Sequence, residues 1–227
     1  GEGHPLMAKY RGGKTEVLLM TSDRGLCGSF NAGLLRKTEA LMREVDGEVR
    51  LNLVGRKAAE YFKRSSLEVT ARRSLGAGRP TYDFAAAIAS AMIDSYLQGE
   101  IGEVYMVYSV FRSALTQVPT AQRVLPLSTE GEEEERAGAG EGEYLFEPSE
   151  ADVLESLLRK YVEVQVFRAL LETAASEHGA RMTAMDSASK NASEMIASLT
   201  LTYNRLRQAA ITTELMEIIG GAEALKG

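Results

Sequence analysis

The chain has 227 residues, 44% of them hydrophobic and 26% charged, with a formal net charge of −6. That is the composition of a soluble globular protein, and its acidic balance argues against a general nucleic-acid binder, which needs a basic surface. No apolar run approaches the roughly 20 residues that span a bilayer, no stretch near Gly1 reads as a signal peptide, and the single cysteine, Cys27, excludes an internal disulfide and a CxxC metal knuckle.

In chain order, residues 16–22 are a short apolar run bounded by turn signals and predict a buried strand. Residues 29–45 predict a helix with Leu34, Leu35, Leu41, Met42 and Val45 on one face. Val49 to Val54 alternates with period two and predicts a second strand ended by Gly55. Residues 56–64 predict a short basic helix, and Val69 marks a third strand. Thr81 or Asp83 can cap a helix reaching about Leu97. Residues 103–111 carry the strongest strand pattern in the chain, and residues 116–127 a further strand that Pro119 assigns to an edge. Strands alternating with helices predict a three-layer, Rossmann-like α/β domain with a mainly parallel sheet over residues 1–147. Within it, the Glu- and Gly-rich stretch 129–143 reads as a solvated acidic loop.

The segment Ser22-Asp23-Arg24-Gly25-Leu26-Cys27-Gly28-Ser29-Phe30-Asn31 joins the first strand to the first helix, where α/β proteins often hold a phosphate. Its glycine spacing fits neither the dinucleotide fingerprint nor a Walker A loop. Gly25, Cys27 and Gly28 therefore read as a tight structural loop, with Cys27 a small buried thiol. His4 and His178 stand too far apart in the sequence to suggest a zinc site with it. No cofactor and no metal is expected.

Residues 148–227 carry no strand signal. A helix is expected from Pro148 or Ser149 to about Ser176, with a break or bend at His178-Gly179, and then a long helix over 180–225. Forty-five helical residues would extend about 68 Å, far beyond the average globular helix. Ala192, Leu199 and Leu206 repeat at seven, as do Ile196 and Tyr203. Further on, Ile211 and Ile218 repeat at seven with Leu215 between them. These rows form a coiled-coil seam, and its slow rotation is the drift of a straight helix against a seven-residue repeat. The remaining positions between Arg181 and Thr213 are rich in Ser, Thr and Asn rather than Glu and Lys. Such a surface suits either a buried helix whose hydroxyls bond back to the preceding turn or a helix turning inside a protein sleeve.

Ile211 to Ala224 (ITTELMEIIGGAEA) resembles the C-terminal signature of the gamma subunit of F-type ATP synthase, as does Tyr203 to Ala210 (YNRLRQAA). Glu177 to Met185 is similar to the start of that family's C-terminal helix, and SDRGLCGSFN to its most recognisable internal segment. The resemblance implies a central rotor shaft with no catalytic site of its own. Its two terminal helices would form an antiparallel coiled coil inside a ring of alpha and beta subunits, and its α/β domain would stand beside the epsilon subunit on the c-subunit ring. Proton-driven rotation would be coupled to ATP synthesis or hydrolysis at the beta subunits. The implied location is peripheral, on the cytoplasmic face of the bacterial inner membrane, touching the membrane only through the ring. The family places several turns of helix before the first strand, and Gly1 stands just ahead of that strand, so the N-terminal helix is expected to be missing from this sequence.

Carried across by the same resemblance, Arg207 and Gln208 match a polar pair that faces loops of the beta subunits, and Thr212 and Glu214 follow on the same helix. An internal Arg207–Glu214 pair is the plainer alternative. Two other functions remain open on the residues: a nucleotide- or flavin-binding protein using loop 22–33, and a coiled-coil adaptor.

Overall fold

The computed structural model describes residues 4–8, 13–76, 78–128, 150–225 and 227. The acidic stretch 129–143 and the expected helix start at Pro148 or Ser149 lie outside them. The chain forms two compact units, Gly1–Thr183 and Ala184–Gly227.

The first unit is built on a five-stranded sheet in the order β3-β2-β1-β4-β5, with β1 at Lys14–Met20, β2 at Val49–Val54, β3 at Glu68–Arg73, β4 at Ile101–Phe111 and β5 at Gln117–Leu125. The first four strands are parallel, and β5 returns antiparallel to β4. This is the mainly parallel α/β sheet expected from the alternation of patterns. β1 is central, so both of its faces are covered and its apolar run is continuous. Val17 and Leu19 pack with α1 (Phe30–Glu44) and α2 (Arg56–Tyr61) on one face. Leu18 and Met20 pack with α3 (Tyr82–Leu97) and the first part of α4 (Glu150–Ala224) on the other. A 3-10 turn, Phe62–Arg64, ends the basic helix that was expected to run unbroken to residue 64.

Local chemistry sets the element ends. The Thr81 hydroxyl accepts the Phe84 N–H at 3.3 Å, which caps α3. α3 then buries Ile88, Met92 and Tyr96 at helical spacing. Gly55 sits at φ 96°, and a Cβ there would lie 2.2 Å from the Thr21 carbonyl oxygen. Only glycine lets β2 pass that close to the end of β1.

Within the first unit, α4 buries Val162, Val166, Ala169, Leu170, Thr173 and Ser176, a stripe three or four residues apart that lies on the sheet. Full burial of Leu170 contributes about 1.5–3 kcal/mol. Polar groups fix the register: the Ser109 N–H donates to Thr173 Oγ1 at 3.3 Å, and Ser176 Oγ donates to the Ser109 carbonyl at 3.1 Å. At the α3 side, the Tyr82 hydroxyl bonds Glu163 and its ring packs edge-on against Phe167.

The expected break at His178-Gly179 does not occur, since α4 is helical from Glu150 to Ala224. Gly179 serves close approach instead. A Cβ there would lie 3.2 Å from Ala114 Cα and from the Phe111 ring. One turn on, Thr183 Oγ1 donates to the Ala114 carbonyl at 2.9 Å. The glycine admits the β4–β5 turn against the helix backbone, and that tertiary contact outweighs its low helix propensity of about 1 kcal/mol relative to Ala.

Candidate functional site

The loop after β1 is a hub of hydrogen bonds. The Ser22 N–H donates to Asn31 Oδ1 at 3.0 Å, and Asn31 Nδ2 reaches Cys27 Sγ at 3.3 Å. Asp23 joins three loops: its carboxylate accepts the Arg56 N–H at 2.8 Å, the Ser74 hydroxyl at 2.7 Å and the Gly76 N–H at 2.9 Å. Cys27 is buried. Gly28 takes a positive φ of 58°, whereas a side chain at Gly25 would meet nothing within 4 Å. Gly25 contributes its carbonyl, which accepts from Arg181 Nη2 at 3.2 Å, while the same guanidinium nitrogen pairs with Glu177 at 2.8 Å. The loop is thereby tied to α4. Between its anchored ends Leu26 stands 75% exposed at φ 61°. Asp23 was not singled out in the sequence, and an Asp directly after a buried strand was the available signal.

The second unit is helix throughout its described length up to Ala224. The apolar rows expected as a seam are all on its surface. Ala192, Ile196, Leu199, Tyr203, Leu206, Ile211, Leu215 and Ile218 are each exposed, with Leu199 and Leu206 at 61% and Tyr203 at 63%. Ser193, Thr200, Thr202, Thr212 and Thr213 each donate to the carbonyl four residues back, at 2.8–3.1 Å. Back-bonding therefore occurs here on an exposed helix. Lys190–Asp186, at 2.8 Å, is the single ion pair among the described residues of this unit, so Arg207 and Glu214 are not paired with each other.

At 3.6 residues per turn the four polar candidates fall into two pairs. Arg207 and Glu214 lie within about 20° of each other, beside the Ile211/Ile218 row at about 20–60°. Gln208 and Thr212 lie about 100–140° around from Arg207. Arg207 and Glu214 lie among the apolar rows, whereas Gln208 and Thr212 lie at their side, about 20° and 60° from Leu215. Among the described residues no group of three His, Cys, Asp or Glu side chains could hold a metal, and no helix is long and apolar enough to cross a membrane.

A packed α/β domain together with a helix whose apolar rows are exposed among the described residues defines a class: proteins whose long helix docks on a further surface. The ATP synthase family profile matches residues 1–225. An ATP synthase gamma chain of Geotalea uraniireducens is 49% identical over 229 residues, spanning 100% of this chain and 78% of its own length. That of Moorella thermoacetica is 45% identical over 225 residues, spanning 99% and 78%. Among solved structures, a chain of the central stalk and c-ring of the Tetrahymena thermophila mitochondrial ATP synthase superposes with a TM-score of 0.62 at 27% identity, over 78% of this chain and 76% of its own. A chain of the Euglena gracilis mitochondrial ATP synthase shares the fold, with a TM-score of 0.70 at 24% identity over 94% and 73%. This chain belongs to the ATP synthase gamma-chain family.

Proposed function

We propose that the chain is the rotor subunit in the central stalk of an F-type ATP synthase, the element whose rotation links ion flow at the c-ring to ATP synthesis and hydrolysis at the beta subunits. The observation that carries this reading is the row of exposed apolar side chains from Ile196 to Ile218 on a chain of the gamma family. Exposed rows of this length are stable only when another surface covers them. The alpha and beta subunits would surround the second unit, and the epsilon subunit and c-ring would meet the first. The chain would act peripherally, on the cytoplasmic face of a bacterial membrane, with all bond-making left to the beta subunits. Coupling of this kind requires an element whose contacts with each site differ from state to state.

Arg207 and Gln208 are proposed as contacts to beta-subunit loops, with Thr212 and Glu214 following along the helix. An Arg207→Ala/Gln208→Ala pair in the assembled complex should lower coupled ATP synthesis by about tenfold or more, the loss of one charge-assisted contact of about 1.5–3 kcal/mol. Assembly should be retained. Unchanged synthesis and unchanged hydrolysis would remove these residues from the contact.

A further inference from the structure

The acidic chain carries one strongly basic region. Residues 56–79 contain seven Lys and Arg against two Glu, a net charge of +5 where the whole chain is −6. Both glutamates are already engaged, Glu60 by Lys57 at 2.7 Å and Glu68 by Lys14 at 2.7 Å, and each partner holds its carboxyl below the usual value. Arg56, Lys63, Arg64, Arg72 and Arg79 are exposed and have no ion-pair partner among the described residues. They lie on α2, the turn after it, β3 and the loop that follows. Among the described residues β3 pairs only with β2, and no strand lies on its other edge.

Beside that edge, on the α3 face, is an open cleft of about 370 Å³ lined by Glu16, Arg50, Asn52, Thr70, Arg73 and Glu100. Its floor is saturated. Glu16, 2% exposed, accepts from Arg50 Nε at 2.7 Å and from Asn52 Nδ2 at 2.9 Å. Arg50, 7% exposed, also reaches Glu100 at 3.3 Å. Arg73 differs: its partner is the neutral Asn52 Oδ1, at 2.7 Å. Among the described residues it is the one guanidinium of the cleft that pairs with no carboxylate.

We propose that the β3 edge receives an acidic, extended segment of a partner protein. The segment's backbone would pair with the open edge, one carboxylate would enter the cleft at Arg73, and others would meet Arg64 and Arg72. Charge on an edge strand also deters self-pairing, which accounts for Arg72 but not for the cations on the flanking elements. A strand edge next to a cleft whose one unpaired cation is Arg73 matches a polypeptide better than a flat anionic bilayer. The overall negative charge disfavours nucleic acid. This inference stands on the first unit alone and is independent of the rotor reading.

The test uses the full chain and a fluorescein-labelled dodecapeptide of alternating Glu and Val, with a Lys–Val peptide as control, read by anisotropy. The acidic peptide should bind and the basic one should not. Arg64→Glu/Arg72→Glu should weaken binding by about tenfold or more. Arg36→Glu/Arg43→Glu, the same charge change on exposed α1 positions, should change it less than about twofold. Arg73→Lys, which keeps the charge but loses the fork, should weaken binding about threefold or more. Circular dichroism confirms that each variant is folded. The proposal is overturned by no binding of the acidic peptide, by equal loss in the α1 control, or by retention to vesicles of anionic phospholipid when the peptide does not bind. Any of these results leaves the rotor reading untouched.

Discussion

One helix, α4, meets two fates. Up to Thr183 its apolar stripe lies on the sheet, and Val162, Val166 and Leu170 are fully buried. From Ala184 on, residues of the same kind at similar spacing are exposed. Side-chain chemistry does not separate the halves, because both are amphipathic and both carry Ser and Thr. The available surface does. Where this chain supplies a sheet face, the stripe becomes core. Where the described residues offer none, the stripe stays exposed and is left to a further surface. A hydrophobic pattern reports that burial is needed, and not who provides it.

That contrast can be broken by making one substitution in both halves. Leu170→Ala should destabilise the isolated chain by about 2–5 kcal/mol through the cavity it leaves, whereas Leu206→Ala should change it by less than about 0.5 kcal/mol and reduce incorporation into the synthase instead. Urea unfolding and co-purification with alpha and beta subunits measure the two effects. Equal losses of stability would mean that the second unit is covered within the isolated protein.

A smaller effect is expected at Gly179. Gly179→Val forces a branched side chain against Ala114 and Phe111 and should cost about 1–3 kcal/mol. Gly220→Val, where a Cβ meets nothing within 4 Å, should be neutral or slightly stabilising, as expected for removing a helical glycine. Thermal melts of the two variants decide it. If Gly179→Val melts with the wild type, the close approach of the β4–β5 turn does not hold α4 in place.

A third pair of substitutions is expected to change sign between the halves, with its smaller member in the exposed one. Thr200→Ala in the exposed half should raise helix content, a gain of about 0.5 kcal/mol from propensity. Thr173→Ala in the buried half removes the acceptor of the Ser109 N–H and should cost about 1–3 kcal/mol. Far-ultraviolet circular dichroism with denaturant titration resolves both.

Much of the first unit was legible from period and punctuation. β2 fell on its expected residues because its alternation and Gly55 both mark the boundary, and α3 began where Thr81 caps it. The continuity of α4 was not legible. Gly179 resembles a breaker when read locally, and its reason for being there is Ala114, 65 residues earlier in the sequence. Asp23 was hidden for the same reason, since its partners lie 33 to 53 residues away. In the second unit the heptad rows were plain, but Arg207, Gln208, Thr212 and Glu214 came from resemblance. Periodicity marks which side of a helix is apolar, and nothing in it tells a working arginine from a solvated one.

The Glu16–Arg50–Asn52 cluster also bears on how this sequence can drift. Loss of the Arg50 charge strands the Glu16 carboxylate in the sheet, at about 3–5 kcal/mol, although an apolar pair of matching volume could replace both with little change in stability. That step removes a large share of the usual margin of about 5–15 kcal/mol. The cluster is easily kept and hardly left one substitution at a time, so it acts as a ratchet on the history of the fold.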